Sequence, residues 1–322
     1  MGQKAKRLWF MGGGAVLLFF VLSNGPIDQY VDTVKRQTVQ AALSLEGDER
    51  LRALIDQWKQ GREEAPINAR IDPIWKAIPG YNGRVVDVEA SLANMKRSRT
   101  PGPESLVYKE VPPAVTLEQL GAHPVYRGNE KKPAISFMIN VAWGNEYLDT
   151  ILDTLDKHGV KTTFFLDGSW VKRFPEWAKK IAARGHEIGN HAYSHPDMSR
   201  LGRERIRQEI GRTQEVIRHT LGVTPVLFAP PSGAFNQAVV DIARHDFQMT
   251  TILWTADTVD WQKPSVDVLI RRIEPKMGNG VLVLMHPTAP TAAGLDTLIR
   301  MAKQKGLVPT TVSGVISSRR LP

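Results

Sequence analysis

The chain has 322 residues, 42% of them apolar and 23% charged, which excludes a disordered or fibrous protein and leaves room for one large domain with an extension or for two domains. It has no cysteine, so thiolate metal sites, cysteine nucleophiles and disulfides are excluded. A formal net charge of +9 suits nucleic acid, an anionic membrane surface or an anionic polymer such as cell wall, and the lack of a long Lys/Arg block argues against nucleic acid.

Residues 1–25 read as a signal-anchor. Lys4, Lys6 and Arg7 form a charged start and Leu8 to Leu22 is free of charge. That run is short for a membrane span, which wants roughly 17–25 residues, and long for a cleaved signal core. There is no Ala-x-Ala site, and Val21-Leu22-Ser23 is a poor substitute. The expectation is an uncleaved anchor with its basic side inside and the rest outside the cytoplasm, or a secreted protein if the segment is cut.

Residues 26–62 read as a helical stalk. Tyr30, Val31, Val34, Leu51, Leu54, Ile55 and Trp58 recur at three- and four-residue steps, and Gly47 is expected to break the run into two helices. Residues 63–127 read as a small α+β module followed by a linker, punctuated by Pro66, Pro73, Pro79 and Gly80, with short strands at 106–108 and 125–127. No chemistry can be assigned to it.

Residues 128–318 show a regular rhythm. Strands are expected at 134–141, 161–166, 186–189, 226–228, 249–254 and 281–285. Helical faces separate them, such as Leu148-Ile151-Leu152-Leu155, Ile206-Ile210-Ile217 and Leu295-Leu298-Ile299-Ala302. Repeated strand–helix alternation means a parallel sheet, either closed into a barrel or open and doubly wound. Asn140, Asp167, His191, Asp257, Asp260 and His286 fall at or just after strand ends, where both architectures place their sites. A barrel brings residues from many strands to one rim and so explains this set better.

His191 and His195 stand four residues apart in Gly189-Asn190-His191-Ala192-Tyr193-Ser194-His195-Pro196. Neutral imidazole is the commonest protein ligand for a divalent metal, and the two rings converge on one ion if the chain turns between them. With eight histidines in the chain, such a pair also arises by chance.

Taken together, these stretches resemble the polysaccharide deacetylases of the NodB-homology type, carbohydrate esterase family 4. His191 and His195 resemble the family's two metal histidines. Ala229-Pro230-Pro231-Ser232-Gly233 stands where the family has Arg-Pro-Pro-Tyr-Gly. Asp257-Thr258-Val259-Asp260-Trp261 resembles its Asp-x-x-Asp-Trp motif, and Leu284-Met285-His286 its Leu-x-His motif. The resemblance implies an irregular (β/α) barrel that removes acetyl groups from wall or chitin-like sugars with a divalent metal such as zinc. It implies metal ligation by His191 and His195, a general acid in His286, and substrate contacts from Trp261, Leu284, Ser232 and Pro231; Asp260, by analogy with base–orienter pairs in general, reads as the residue that orients His286.

The departures are coherent. Counted back from Thr163 without a gap, the family's Thr-Phe-Asp-Asp-Gly falls on Met138 to Ala142. Asn140 replaces the general base, Val141 a metal-ligating aspartate, and Ala229 the arginine that orients the base. An arginine left without its carboxylate becomes a costly unpaired charge, so the losses belong together. The metal site is therefore expected to be weak, with Asp197 or Glu187 as candidate substitute donors. Loss of a positioned base costs about 10²–10⁴ in rate. The stretch from Ile139 to Glu146 resembles a sporulation-associated branch of the family, which implies a membrane-anchored protein working on peptidoglycan-type glycan, either with reduced or altered deacetylation or as a non-catalytic glycan binder or scaffold. Trp143 and Trp254 are further candidates for stacking on sugars. His186 and Asp257 read as structural, and His123, His158, His219 and His245 as surface residues.

Overall fold

The computed structural model describes residues 25–98 and 100–321. The expected signal-anchor therefore lies outside the described residues, Gly25 excepted. Among the described residues no helix is long and apolar enough to cross a membrane.

The chain divides into two compact units. The first comprises the segment ending at Glu63 together with Val85–Lys109. Its long helix α1 (Gly25–Trp58) runs unbroken, so Gly47 does not split it. Intrinsic propensity at one glycine costs about 1 kcal/mol, too little by itself to interrupt a helix of this length. The last turns of α1 bury Ile55 against Leu92 and Met95 of a second helix, α2 (Val88–Arg97), and against Val86 and Leu106. Asp87 caps α2 by accepting from the Ala90 amide at 3.1 Å.

The second unit comprises Glu64–Arg84 and Glu110–Pro322. Two short strands, β1 (Arg70–Asp72) and β2 (Lys76–Ile78), form an antiparallel hairpin within it. Gly83–Val86 (β3) and Tyr108–Val111 (β4) also pair with each other. The central sheet is built from β5 (Ala134–Val141), β6 (Thr163–Leu166), β7 (Glu187–Asn190), β8 (Leu227–Phe228), β9 (Thr250–Thr251), β10 (Ala256–Asp257), β11 (Val281–Met285) and β12 (Val308–Pro309). Its order is β10-β11-β5-β6-β7-β8-β9, with β12 also on β5, and every neighbouring pair in it is parallel. The sheet is a curled half-barrel. It does not close, because β9 and β10 end the path on opposite sides and do not pair. The expected strand at 249–254 shrinks to the two residues of β9, and residues 125–127 contribute isolated bridges from Val125 to Ile252 and from Arg127 to Val281.

Strand β5 sets the layers. Ile135, Phe137, Ile139 and Val141 pack outward with Leu148, Ile151 and Leu152 of the helix α3 (Asn145–Lys157), while Ala134 and Met138 pack inward with Phe165, Leu282 and Leu284. The alternation follows from the strand's two-residue period. It puts Asn140 on the same side as Met138, at the carboxyl end of the strand.

Candidate active site

The loop after β7 brings the two histidines together. Ala192 and His195 adopt φ of 59° and 55°, left-handed values that cost a non-glycine residue about 1–2 kcal/mol each. Buried Glu209, on the helix α6 (Arg203–Leu221), holds this turn. Its carboxylate accepts the Tyr193 and Ser194 amides, both at 2.9 Å, and the Ser194 hydroxyl at 2.9 Å, and Arg205 pairs with it at 2.5 Å. Asn190 adds a further tie, donating to the Ile210 carbonyl at 3.0 Å and accepting from the Ala192 amide at 3.0 Å. The sequence reading missed Glu209, because a glutamate within a charged helix reads as solvated until its neighbours are known.

The His191 and His195 ring centroids are 5.1 Å apart. His191 is buried, and its Nδ1 donates to the Ala229 carbonyl at 2.7 Å, which leaves Nε2 as the lone-pair nitrogen. That is the tautomer a metal-ligating imidazole adopts. Burial, with His195 beside it, pushes the His191 pKa down to about 3, so the ring is neutral at physiological pH. His195 is also lowered, by partial desolvation that Asp167 partly offsets.

Asp260 and His286 form a second cluster. Asp260 is fully buried, and its Oδ1 meets His286 Nδ1 at 2.8 Å. Its Oδ2 accepts from the His286 amide at 2.7 Å, from the Thr291 hydroxyl at 2.5 Å and from the Thr288 hydroxyl at 3.3 Å. Burial alone would raise the carboxyl's pKa, but the His286 hydrogen bond and charge, and then Thr291, bring it below the ordinary value. An ionised Asp260 must accept, so His286 Nδ1 donates and Nε2 is the ring's exchangeable position. Thr288 caps the helix α9 (Ala289–Gln304) and Thr291 lies in its first turn, so the start of α9 completes the aspartate's shell.

The other expected site residues are placed as follows. Asn140 is buried at the end of β5, and its Oδ1 has no hydrogen-bond partner among the described residues. An orphaned acceptor costs about 1–3 kcal/mol, a strain of the kind found in functional sites. Val141 is fully buried in the outer apolar cluster. Leu284 is buried in β11 and Pro231 in the turn Pro231–Gly233, while Ser232 is exposed at φ 56°. Trp261 is 53% exposed, and Trp143, 45% exposed, stacks near-parallel on His286 with centroids 6.0 Å apart. Trp254 is part-buried against the inner cluster. Asp257 accepts from the Val259 amide at 2.8 Å and shapes its own turn. His186 packs at 5.0 Å from Phe164.

Two candidate substitute donors are not where a metal would need them. Glu187 opens β7, at the end opposite His191, and its Oε2 accepts from the Thr163 hydroxyl and the Ser313 amide. Asp197 is exposed and bonded to Ser199 and Arg200. His158, expected on the surface, is largely covered and meets Asp296 at 2.8 Å. Asp167 caps the helix α4 (Gly168–Arg173), and its Oδ2 is buried without a partner. Among the described residues no group of three or more His, Cys, Asp or Glu could hold a metal ion. The residues present thus supply two imidazoles and do not fit the three-donor set that the family motif describes.

Residues 127–250 match the polysaccharide deacetylase family. Together with the relatives below, this places the chain in the polysaccharide deacetylase, or carbohydrate esterase 4, family. It is 47% identical over 310 residues to the uncharacterized protein YlxY of Bacillus subtilis strain 168, covering 95% of this chain and 96% of that one. It is 30% identical over 209 residues to the peptidoglycan-N-acetylmuramic acid deacetylase PdaA of the same organism, covering 61% of this chain and 77% of PdaA. The crystal structure of wild-type BA3943, a carbohydrate esterase 4 family pseudoenzyme from Bacillus anthracis, superposes with a TM-score of 0.78 at 46% identity, covering 84% of this chain and 96% of that one. A BA3943 mutant described as having restored enzymatic activity superposes equally well, at 45% identity. The chain is thus a member of a peptidoglycan deacetylase-like family whose similar solved structures include pseudoenzymes.

Proposed function

We propose that this protein engages N-acetylated, peptidoglycan-type glycan and deacetylates it at a strongly reduced rate. The carrying observation is the intact Asp260–His286 pair beside a buried Asn140 in place of the base. As an imidazolium, His286 gives its Nε2 proton to the leaving amine, and Asp260 orients the ring through Nδ1 and stabilises its charged form. Trp261 and Leu284 wall the acetyl group, with Pro231 shaping the turn that presents the Ser232 region to the developing oxyanion. What is lacking is proton abstraction, because an asparagine amide accepts no proton at neutral pH. That loss alone accounts for about 10²–10⁴ in rate. A second reading, a glycan binder without turnover, is favoured by Val141, whose burial in the apolar layer removes the third donor.

The test is acetate release from N-acetylglucosamine polymer and purified sacculi with added zinc or cobalt. It compares the wild type with the variant Asn140→Asp/Val141→Asp and with His286→Ala. Slow release that rises about 10²-fold or more in the double variant and falls in His286→Ala supports the first reading. Sacculus binding without release by the wild type selects the second. Neither binding nor release excludes both.

We also infer that residues 1–25 anchor the protein with residues 26–322 outside the cytoplasm, and that it serves in sporulation. Charge-free Leu8 to Leu22 after three basic residues supports the first inference, and the resemblance of Ile139 to Glu146 the second. Protease added to intact cells should digest the anchored protein. Full protection would exclude that location, and unchanged spore yield and wall composition in a deletion strain would exclude the role.

A further inference from the structure

We propose that a cavity at the amino-terminal mouth of the half-barrel binds the phosphate ester of a polyol through Arg244 and Arg319. The cavity is about 500 Å³ and lies wholly within the second unit. That volume falls within the usual range for small-ligand sites, about 300–1,000 Å³. Leu227 and Thr250, the first residues of β8 and β9, line it, whereas Asn140, His191 and His286 stand at or just beyond the carboxyl ends of their strands. No residue of the reaction site lines it. Chemistry on a parallel sheet collects at the carboxyl ends, so a cavity at the other mouth is suited to holding a ligand rather than converting it.

One wall is the segment after the helix Val312–Ile316, and it is tied down residue by residue. The buried Lys132 ammonium donates to the Gly314 and Ser317 carbonyls at 2.5 and 2.7 Å. The Ser318 carbonyl accepts from the Asn82 amide at 2.8 Å. The Arg320 guanidinium donates to Glu64 at 2.7 Å and to the Asn82 carbonyl at 3.1 Å, and lies over the Tyr81 ring. Arg319 sits among these fixed residues, and its amide donates to the Ser317 hydroxyl at 3.1 Å. Its exposed guanidinium has no partner among the described residues. A free guanidinium on a fixed backbone is preorganised for an anion. Arg244, on the helix Gln237–His245, supplies the second guanidinium. A single hydrogen bond to the Glu118 carbonyl at 3.1 Å holds it, and its other N–H groups have no partner among the described residues. Gln248 lines the same cavity at a left-handed φ of 55°, and its side-chain amide is likewise unpaired.

Two guanidinium groups from separate elements suit a phosphate better than a carboxylate. A carboxylate is planar, with two oxygens that one bidentate fork satisfies, whereas a phosphate presents oxygens in several directions. Glu118 defines the rest of the ligand. Its carboxylate also lines the cavity without a partner among the described residues, so the ligand must carry hydrogen-bond donors beside its anion. Hydroxyl groups supply them, and the free hydroxyls of Thr250 and Ser318 add further partners. No aromatic side chain lines the cavity, so nothing there stacks a nucleobase or a pyranose face. A short polyol phosphate meets each of these demands. It also gives the net charge of +9 one specific use.

Calorimetry at fixed ionic strength titrates the full chain with glycerol 3-phosphate, with a glycerol-phosphate polymer and with inorganic phosphate. The variants are Arg319→Gln, Arg244→Gln and Arg271→Gln. Arg271 is exposed on the helix Val266–Ile273 and outside the cavity, so its replacement makes the same change in net charge. Thermal melts establish that each variant is folded. Arg319→Gln removes no side-chain hydrogen bond or ion pair among the described residues, so its reading stands whatever Arg244→Gln does to the fold. Glycerol 3-phosphate is expected to bind the wild type, about tenfold or more weakly in the two cavity variants, and within about twofold of wild type in Arg271→Gln. Tighter binding of the polymer than of the monomer assigns the ester to an anionic wall polymer, and the reverse order to a soluble metabolite. Equal weakening in Arg319→Gln and Arg271→Gln shows diffuse charge attraction and overturns the site. Inorganic phosphate binding as tightly as glycerol 3-phosphate overturns the polyol assignment, and binding of neither ester overturns the proposal. The glycan reading stands or falls separately, because no reaction-site residue is altered.

Discussion

Asp260 holds His286 at two points, ring and backbone: Oδ1 meets Nδ1 at 2.8 Å and Oδ2 accepts the amide at 2.7 Å. The same carboxylate takes Thr288 and Thr291 from the start of α9, so one buried charge joins the end of the β11 segment to the next helix. Removing it strands four donors. Asp260→Ala is expected to lower the unfolding free energy by about 3–5 kcal/mol. His286→Ala leaves three of those donors paired and should cost about 1–2 kcal/mol. Urea unfolding of the two variants checks the order. Equal losses would show that Asp260 acts through the imidazole alone.

Glu209 is expected to govern the order of the histidine loop. Its carboxylate satisfies the consecutive amides of Tyr193 and Ser194. Glu209→Ala would leave both amides without their protein acceptor and release the left-handed turns at Ala192 and His195. The expected cost is about 2–4 kcal/mol, and amide exchange at residues 192–195 should speed up by more than tenfold. Exchange measured by mass spectrometry on wild type and variant reads this directly, and unchanged protection at those residues would refute it.

Acid should destabilise the protein through His186. Burial, followed by the charge of Lys161, pushes its pKa from 6.5 down to about 4. The unfolded chain takes up this proton near pH 6.5, whereas the folded protein does so only near pH 4. Between those values the unfolded state binds more protons. The stabilisation is therefore complete above about pH 6.5 and is lost as the pH falls toward 4. At 1.36 kcal/mol per pKa unit this amounts to about 3 kcal/mol. Glutamine at this position still offers an acceptor to the Thr162 amide, which His186 Nδ1 now accepts at 3.3 Å, but it does not titrate. Melting curves of His186→Gln between pH 7 and 4 should fall less steeply than those of the wild type, and parallel slopes would exclude the linkage.

Much of the second unit could be read from the chain. The apolar runs at 134–141 and 281–285 are strands because they are long, β-rich and buried on both faces. The helical faces on α3, α6 and α9 follow from three- and four-residue spacing. The two-residue strands β8 and β9 fall within the expected 226–228 and 249–254, but other short elements were not legible. The strands β10 and β12, of two residues each, carry no period, and α4 is a single short stretch after a capping aspartate. Gly47 misled because local propensity was weighed without the packing of Ile55 against α2.

For the site, the sequence by itself determined the inventory: two histidines in a turn, an Asp–Trp and a Leu-x-His stretch, and an asparagine, a valine and an alanine where the family has two aspartates and an arginine. Spacing and residue type suffice for that, because chemistry is a property of the side chain. Tertiary structure alone decided the neighbours. It set Glu209 under the histidine loop, faced Val141 into the apolar layer, took Glu187 to the wrong end of its strand and laid Trp143 on His286. The reason is that contacts between residues tens or hundreds of positions apart depend on how the sheet curls and where each helix lands, and no local pattern encodes those distances.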